Sequence, residues 1–344
     1  MKREMIARVP KLFVLVCCAA LCAPGSVSLA FADARIVTFD PTGSLGTYPW
    51  EANSDGSIVG FWYDGNYGIT RSFIRASDGT ITSFDNDGSR VTAAYGITRD
   101  GASTGYWTNV QGNYPGFIRQ AGGTMTTFHA PGDDNGTYPI GINNKSTIAG
   151  SYYDLYEIPH GFVRTPRGKI ATFDVTGDVY GTFPTSINSG GVIAGHSGDS
   201  NGVAHGFVRA TDGTLTSFDA PNDTTGTFAQ SINAAGTIAG YFGDANNLYH
   251  GFVRSPDGTI TTFDLAGSIG TFATSIDDKD TIAGYYEDSR NIAHGFVRSA
   301  GGAFRTFDVV GSAGTYPNNI NEEGLVTGWY TDASGYYHGF LRSK

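Results

Sequence analysis

From Gly226 to Asp264 the chain reads G-T-F-A-Q-S-I-N-A-A-G-T-I-A-G-Y-F-G-D-A-N-N-L-Y-H-G-F-V-R-S-P-D-G-T-I-T-T-F-D. Short runs rich in Thr, Ile, Val and aromatic residues alternate here with turn chemistry, and no apolar period of a helix runs through them. Asn233-Ala234-Ala235-Gly236 puts Asn first and Gly fourth, as a type I turn favours. Asp257-Gly258 supplies the positive φ that a tight hairpin demands. The spacing predicts strands near Thr227–Asn233, Thr237–Phe242, His250–Arg254 and Thr259–Phe263. The last is Thr-rich, as suits a half-solvated outer edge.

The same stretch recurs along the chain. Its closing Phe falls at Phe39, Phe84, Phe128, Phe173, Phe218, Phe263 and Phe307, in steps of 44 or 45. The Gly of I-A-G falls at Gly60, Gly105, Gly150, Gly195, Gly240, Gly284 and Gly328, and the Phe of H-G-F at Phe73, Phe117, Phe162, Phe207, Phe252, Phe296 and Phe340. Three anchors agree on seven units without a large insertion. Four antiparallel strands per unit of this length is the pattern of a β-propeller blade. The first unit opens with a lone fourth strand, Arg35 to Asp40, and the last ends on a third, His338 to Arg342. The expectation is an all-β, seven-bladed propeller over residues 35–344, with 28 strands, closed by the N-terminal strand completing the last blade.

His160-Gly161-Phe162, His205-Gly206-Phe207, His250-Gly251-Phe252, His294-Gly295-Phe296 and His338-Gly339-Phe340, each after an intact or varied I-N-x-x-G-x-I-A-G element, resemble the exported repeat family named for a His-Ala-Phe triplet. The middle residue here is Gly, and two units depart further, as Arg71-Ser72-Phe73 and Pro115-Gly116-Phe117. The resemblance covers Arg35 to Lys344, implies an exported β-repeat protein, and carries no catalytic residue over.

Residues 1–32 read as an export signal: Lys2, Arg3, Arg8 and Lys11 precede an apolar run from Leu12 to Ala23, and Ala30-Phe31-Ala32 has the small-x-small form of a cleavage site. Cys17, Cys18 and Cys22 all lie inside it, so disulfides and thiol chemistry are not expected in the mature chain. Its removal takes away a net +3 and shifts the formal charge from −10 to −13. That charge opposes nucleic acid and anionic lipid as partners, and a secreted or periplasmic monomer without a membrane span is expected.

Several residue sets could carry chemistry. Five repeated histidines suggest a metal ring, but equivalent positions around an axis lie too far apart to share one ion, so a structural hydrogen bond is the plainer reading. Asp64, Asp154, Asp199, Asp244, Asp288 and Asp332 open one turn, and Asp40, Asp85, Asp174, Asp219, Asp264 and Asp308 close the fourth strand. Both sets are expected on one rim, as turn caps or, in Asp85-Asn86-Asp87-Gly88 and Asp133-Asp134-Asn135-Gly136, as calcium loops. No cofactor is expected, with calcium the alternative. Gly198-Asp199-Ser200-Asn201-Gly202 matches G-x-S-x-G but sits between strands, where a nucleophile elbow does not form.

The repeat is most altered where the tryptophans lie, in the last, first and second units. Trp50, Trp62, Asp64, Arg71, Arg90, Trp107 and Trp329 form the candidate ligand-binding set, because exposed aromatics beside polar groups stack and hydrogen-bond sugars. For Trp62 and Trp107 the plainer reading is packing between sheets, in the place of Tyr152, Phe242 and Tyr286. The expected function is a non-enzymatic binding module for an extracellular glycan or protein. The alternative is a glycan hydrolase or lyase, with Glu51, Glu157, His129 and His196 as unrepeated acids and bases.

Overall fold

The computed structural model describes residues 34–343 except 87, 110 and 178. The segment read as an export signal, with its cysteines, and Asp87 of one candidate calcium loop lie outside the described residues. Those described form twenty-eight strands and no helix. In the fifth unit the strands are Gly226–Ile232, Ile238–Gly243, Tyr249–Arg254 and Ile260–Phe263, within a residue or two of expectation. They form an antiparallel meander with Ala229 opposite Gly240, Gly240 opposite Phe252, and Phe252 opposite Thr262. Between units the third strand meets the next first strand in parallel, as at Ala204 and Gly226. The lone strand Ile36–Phe39 pairs antiparallel with Tyr337–Arg342, placing Thr38 opposite Phe340.

The repeated residues are explained by contacts between sheets. Phe73, Phe117, Phe162, Phe207, Phe252, Phe296 and Phe340 are all fully buried. Each meets the closing Phe of the preceding unit edge-on, as Phe218 meets Phe252 at 6.1 Å. The Arg two residues after the buried Phe covers that closing ring from outside, as Arg254 covers Phe218 at 4.8 Å. One core therefore spans two units: Ala194 packs with Ala229, Ile232, Ile238, Phe242 and Phe252.

The Gly of the H-G-F triplet has a steric cause. A Cβ on Gly206 would lie 2.6 Å from the ring of Phe218. At Gly240 it would run into the carbonyl oxygen of Phe228. Glycine is needed at both places because ring and backbone press directly on the strand.

The Asn that begins the N-x-x-G turn ties units together. Asn233 Oδ1 accepts the amide of Thr237 at 2.9 Å, and its Nδ2 donates to the carbonyl of Asp277 in the next unit at 3.1 Å. Asn321 donates to the carbonyl of Asn53 at 2.7 Å, so the last repeated unit grips the first in the same way.

Candidate ligand site in the channel

Every innermost strand contains a β-bulge at an equivalent place, and that of the first unit has a second irregularity between Ser44 and Gly46. The register slips between Pro49 and Glu51, Ala94 and Gly96, Pro139 and Gly141, Pro184 and Ser186, Ala229 and Ser231, Ala273 and Ser275, and Pro317 and Asn319. The extra residue has no partner across the ladder, and a bulge re-aims its side chain. The seven extra residues are Trp50, Tyr95, Ile140, Thr185, Gln230, Thr274 and Asn318, and all of them line one cavity of about 290 Å³. The channel is thus lined by the positions at which the repeat does not repeat. One side presents Trp50, Tyr95 and Ile140. The other is polar and partly committed: Thr185, Thr274 and Asn318 donate to backbone carbonyls of the next unit, at Ala229, Pro317 and Pro49.

Above it runs a belt of stacked rings. Tyr48 stacks on Phe61, Phe183 on His196, Phe228 on Tyr241, Phe272 on Tyr285 and Tyr316 on Trp329. The second ring of a pair then meets the next unit edge-on, as Tyr241 meets Phe272 at 5.1 Å. Two units lack one ring of the pair: in the second Ala93 stands opposite Tyr106, and in the third Ser151 stands opposite Tyr138. A cavity of about 780 Å³ opens at that place, lined by Ser151 with Trp50, Tyr95, Tyr106, Tyr114, Tyr138, Tyr153, Phe183, His196 and Glu157. It shares Trp50, Tyr95, Ile140, Pro184 and Thr185 with the smaller cavity, so the aromatic chamber leads into the channel.

Three of the four unrepeated acids and bases line these cavities. Glu51 lies in the channel, where burial pushes its carboxyl up to about 8 despite the amide of Ile97 that it accepts. His196 holds a place in the ring belt, and burial lowers its imidazole to about 4, so it is neutral at neutral pH. Glu157 occupies the left-handed corner of its turn at φ 63, where the other units have Gly68, Gly112, Gly202, Asn247, Asn291 and Gly335. A Glu in that conformation is strained relative to Gly or Asn. His129 lines neither cavity; its Nδ1 pairs with Asp133 at 2.9 Å.

The tryptophan set does not come together as one surface. Trp50 is 40% exposed and lines both cavities, whereas Trp62 is 4% exposed, inside a core with Ala52, Ile58 and Phe73. Trp107 packs against Val59, Ala94 and Phe117. Trp329 stacks on Tyr316 at 3.9 Å within the ring belt. The cause is strand position: Trp50 rides a bulge of the innermost strand, while Trp62 and Trp107 are second-strand residues facing a neighbouring sheet. Arg90 is exposed, and its carbonyl accepts the amide of Thr70 at 2.9 Å.

Asp64 and Arg71 do meet, in an arrangement common to the repeat. Arg71 Nε donates to Asp64 at 2.9 Å and its Nη1 to Asp85. In five other units the same place belongs to His: His250 Nδ1 pairs with Asp264 at 2.9 Å, with Asp244 beyond its Nε2 at 3.6 Å. Asp244 also accepts the amides of Asn246 and Leu248, the turn-cap role. In the other calcium loop Asp133 accepts Gly136 N, Thr137 Oγ1 and His129. Among the described residues no group of His, Cys, Asp and Glu is placed to hold a metal ion. Nor is any helix among them long and apolar enough to cross a membrane.

What sequence reasoning missed was the bulge series. Its signal was present: between the repeated aromatic and the I-N pair, two columns vary freely from unit to unit while their neighbours do not.

No protein-family model matches the chain, and no curated protein does. Solved structures do. The chain is similar to a virginiamycin B lyase from Staphylococcus aureus at 14% identity and TM-score 0.62, covering 90% of this chain and 99% of that one. A catalytically inactive variant of that lyase with quinupristin gives 14% identity and TM-score 0.61 over the same shares. The β-propeller domain of the Trilobed protease from Pyrococcus furiosus, described as having an open velcro topology, matches at 9% identity and TM-score 0.62, covering 86% of this chain and 95% of that one. Identities this low carry the fold and not the activity. The chain is an all-β protein with a β-propeller fold, its strands in antiparallel sets of four.

Proposed function

We propose that the chain is a secreted, seven-bladed β-propeller of the His-Ala-Phe repeat type that binds an extracellular glycan, without turnover, in the aromatic chamber at the mouth of its channel. The observation that carries this is the cavity of about 780 Å³ where Ser151 interrupts the ring belt, with Trp50, Tyr95, Tyr106, Tyr114, Tyr138 and Tyr153 around it. Its size suits a ligand of a few sugar rings, and flat rings with few polar groups stack the apolar faces of sugars while fixing their hydroxyls. Its concavity favours a glycan over a protein surface. The pairing of Ile36–Phe39 with Tyr337–Arg342 supports closure, and the net charge and export segment support an extracellular or periplasmic protein. A glycan-array screen of the purified protein tests the reading, and absence of binding to every neutral or charged glycan overturns it.

A second reading, a glycan hydrolase or lyase, draws on Glu51: a carboxyl pushed up to about 8 is a proton donor at neutral pH. Incubating the array-positive glycans with the protein separates the two, since turnover abolished by Glu51→Gln favours the enzyme.

A further inference from the structure

Next to each bulge residue stands a second variable position, whose side chain in five units reaches across the unit boundary. Asn319 Oδ1 accepts the amide of Ala52 at 3.0 Å, Glu51 Oε2 that of Ile97 at 3.2 Å, and Ser186 Oγ that of Ile232 at 3.3 Å. Ser231 Oγ accepts Ile276 at 3.3 Å, and Ser275 Oγ accepts Ile320 at 3.1 Å. Five boundaries have this bond. At the other two the residue is Gly96 or Gly141, so no side chain at that position of the preceding unit covers the amides of Ile142 and Ile187. These gaps are adjacent. Gly141, Ile142 and Ile187 line the cavity of about 290 Å³ beneath the aromatic chamber, together with Ile140 and Glu51.

Two N–H donors that no side chain of the preceding unit covers, beside Ile140, Ile142 and Ile187, are placed to receive an acceptor from the channel. We propose that the amides of Ile142 and Ile187 form a donor pair that receives the acyl carbonyl of an N-acetylated sugar, the acetyl methyl resting against Ile140, Ile142 and Ile187. This rests on the glycan reading and names the class of glycan. An acyl group fits better than a carboxylate, because the protein is acidic, with a formal net charge of −10. Neither glycine has a left-handed backbone; Gly96 is imposed by close approach, since a Cβ there would lie 2.9 Å from Ile142 N, whereas Gly141 is not. At Gly141 a Cβ would meet its nearest atom, Ile187 Cγ2, at 3.3 Å and Ile187 N at 3.9 Å, so a small side chain can be accommodated there and the glycine leaves the amide open.

The experiment is calorimetric titration of the unaltered protein with three β-1,4-linked tetramers that differ only at carbon 2, bearing acetamido, free amino or hydroxyl groups. The acetamido tetramer is expected to bind at least tenfold tighter than either of the others. Gly141→Ser, which restores the missing acceptor, is expected to remove most of that preference with melting shifted by no more than a degree or two. Binding of all three tetramers alike overturns the donor-pair proposal and leaves the glycan reading standing. An acetamido preference that survives Gly141→Ser in a folded protein overturns the assignment to these amides. Failure of every glycan to bind, here and on the array, removes both readings. The tetramer comparison needs no variant to fold, so the proposal stays testable if Gly141→Ser does not.

Discussion

Glu51 and Ile97 are joined across a unit boundary: the amide of Ile97 donates to Glu51 Oε2 at 3.2 Å, deep in the channel. Serine or asparagine makes this bond at four other boundaries, so here a titratable group fills a place that a neutral one fills elsewhere. The folded carboxyl sits at about 8 against an ordinary 4.5, so the folded state holds its proton more tightly than the unfolded chain. Its stabilising contribution is complete below pH 4.5 and is lost as pH rises to about 8. Glu51→Gln keeps the acceptor and removes the titration. The variant should melt close to the native protein at pH 5 and above it at pH 8, by roughly 2 °C or more. Parallel melting curves at both pH values would show that Glu51 is already ionised in the channel.

The H-G-F glycine gives a second expectation. Gly206→Ala puts a Cβ 2.6 Å from the ring of Phe218, which is itself held against Phe252 and under Arg254. Overpacking of this kind costs about 1–3 kcal/mol. Chemical denaturation should show that loss for Gly206→Ala and little change for Gly122→Ala, where an added Cβ meets nothing within 4 Å.

The same glycine shows what a sequence can disclose. Gly206, Phe207 and Phe218 recur because one small residue, one buried ring and one closing ring make each interface between sheets, so periodicity alone exposed the strands and the core. Ligand-facing residues give the opposite signal. Trp50 and Gln230 hold equivalent bulge positions yet share no chemistry, and only the register slip reveals that both face one cavity. Composition drew attention to four tryptophans as a group, but which of them is open depends on strand and face, which tryptophan content does not encode. Ser151 was the least visible: its importance lies in a ring that is absent.

The N-terminal strand can be tested by removal. Deleting residues 35–40 would uncover the edge of Tyr337–Arg342. It would also strip His338 of Asp40, which lies 2.7 Å from its Nδ1, and deprive Thr47 Oγ1 of its acceptor. An exposed edge invites association between molecules. The shortened protein should melt earlier and aggregate on heating by light scattering. If it melts as the full chain does, the terminal strand does not close the ring.

Trp50 and Trp62 separate binding from packing. Trp50 is 40% exposed, in edge contact with Tyr95 at 4.8 Å, and lines both cavities; Trp62 is 4% exposed within a core. Removing a stacking face loses on the order of 1 kcal/mol, about five-fold in affinity. Emptying a buried tryptophan site costs about 3–5 kcal/mol of stability. Trp50→Ala should therefore weaken the array-positive glycan at least several-fold with little change in melting, and Trp62→Ala should melt far earlier yet bind normally per folded molecule. Titration and calorimetric melting on the same preparations distinguish the two. Full affinity in Trp50→Ala would move the ligand out of the aromatic chamber, whereas loss of affinity in folded Trp62→Ala would return the site to the outer rim, beside Asp64 and Arg71.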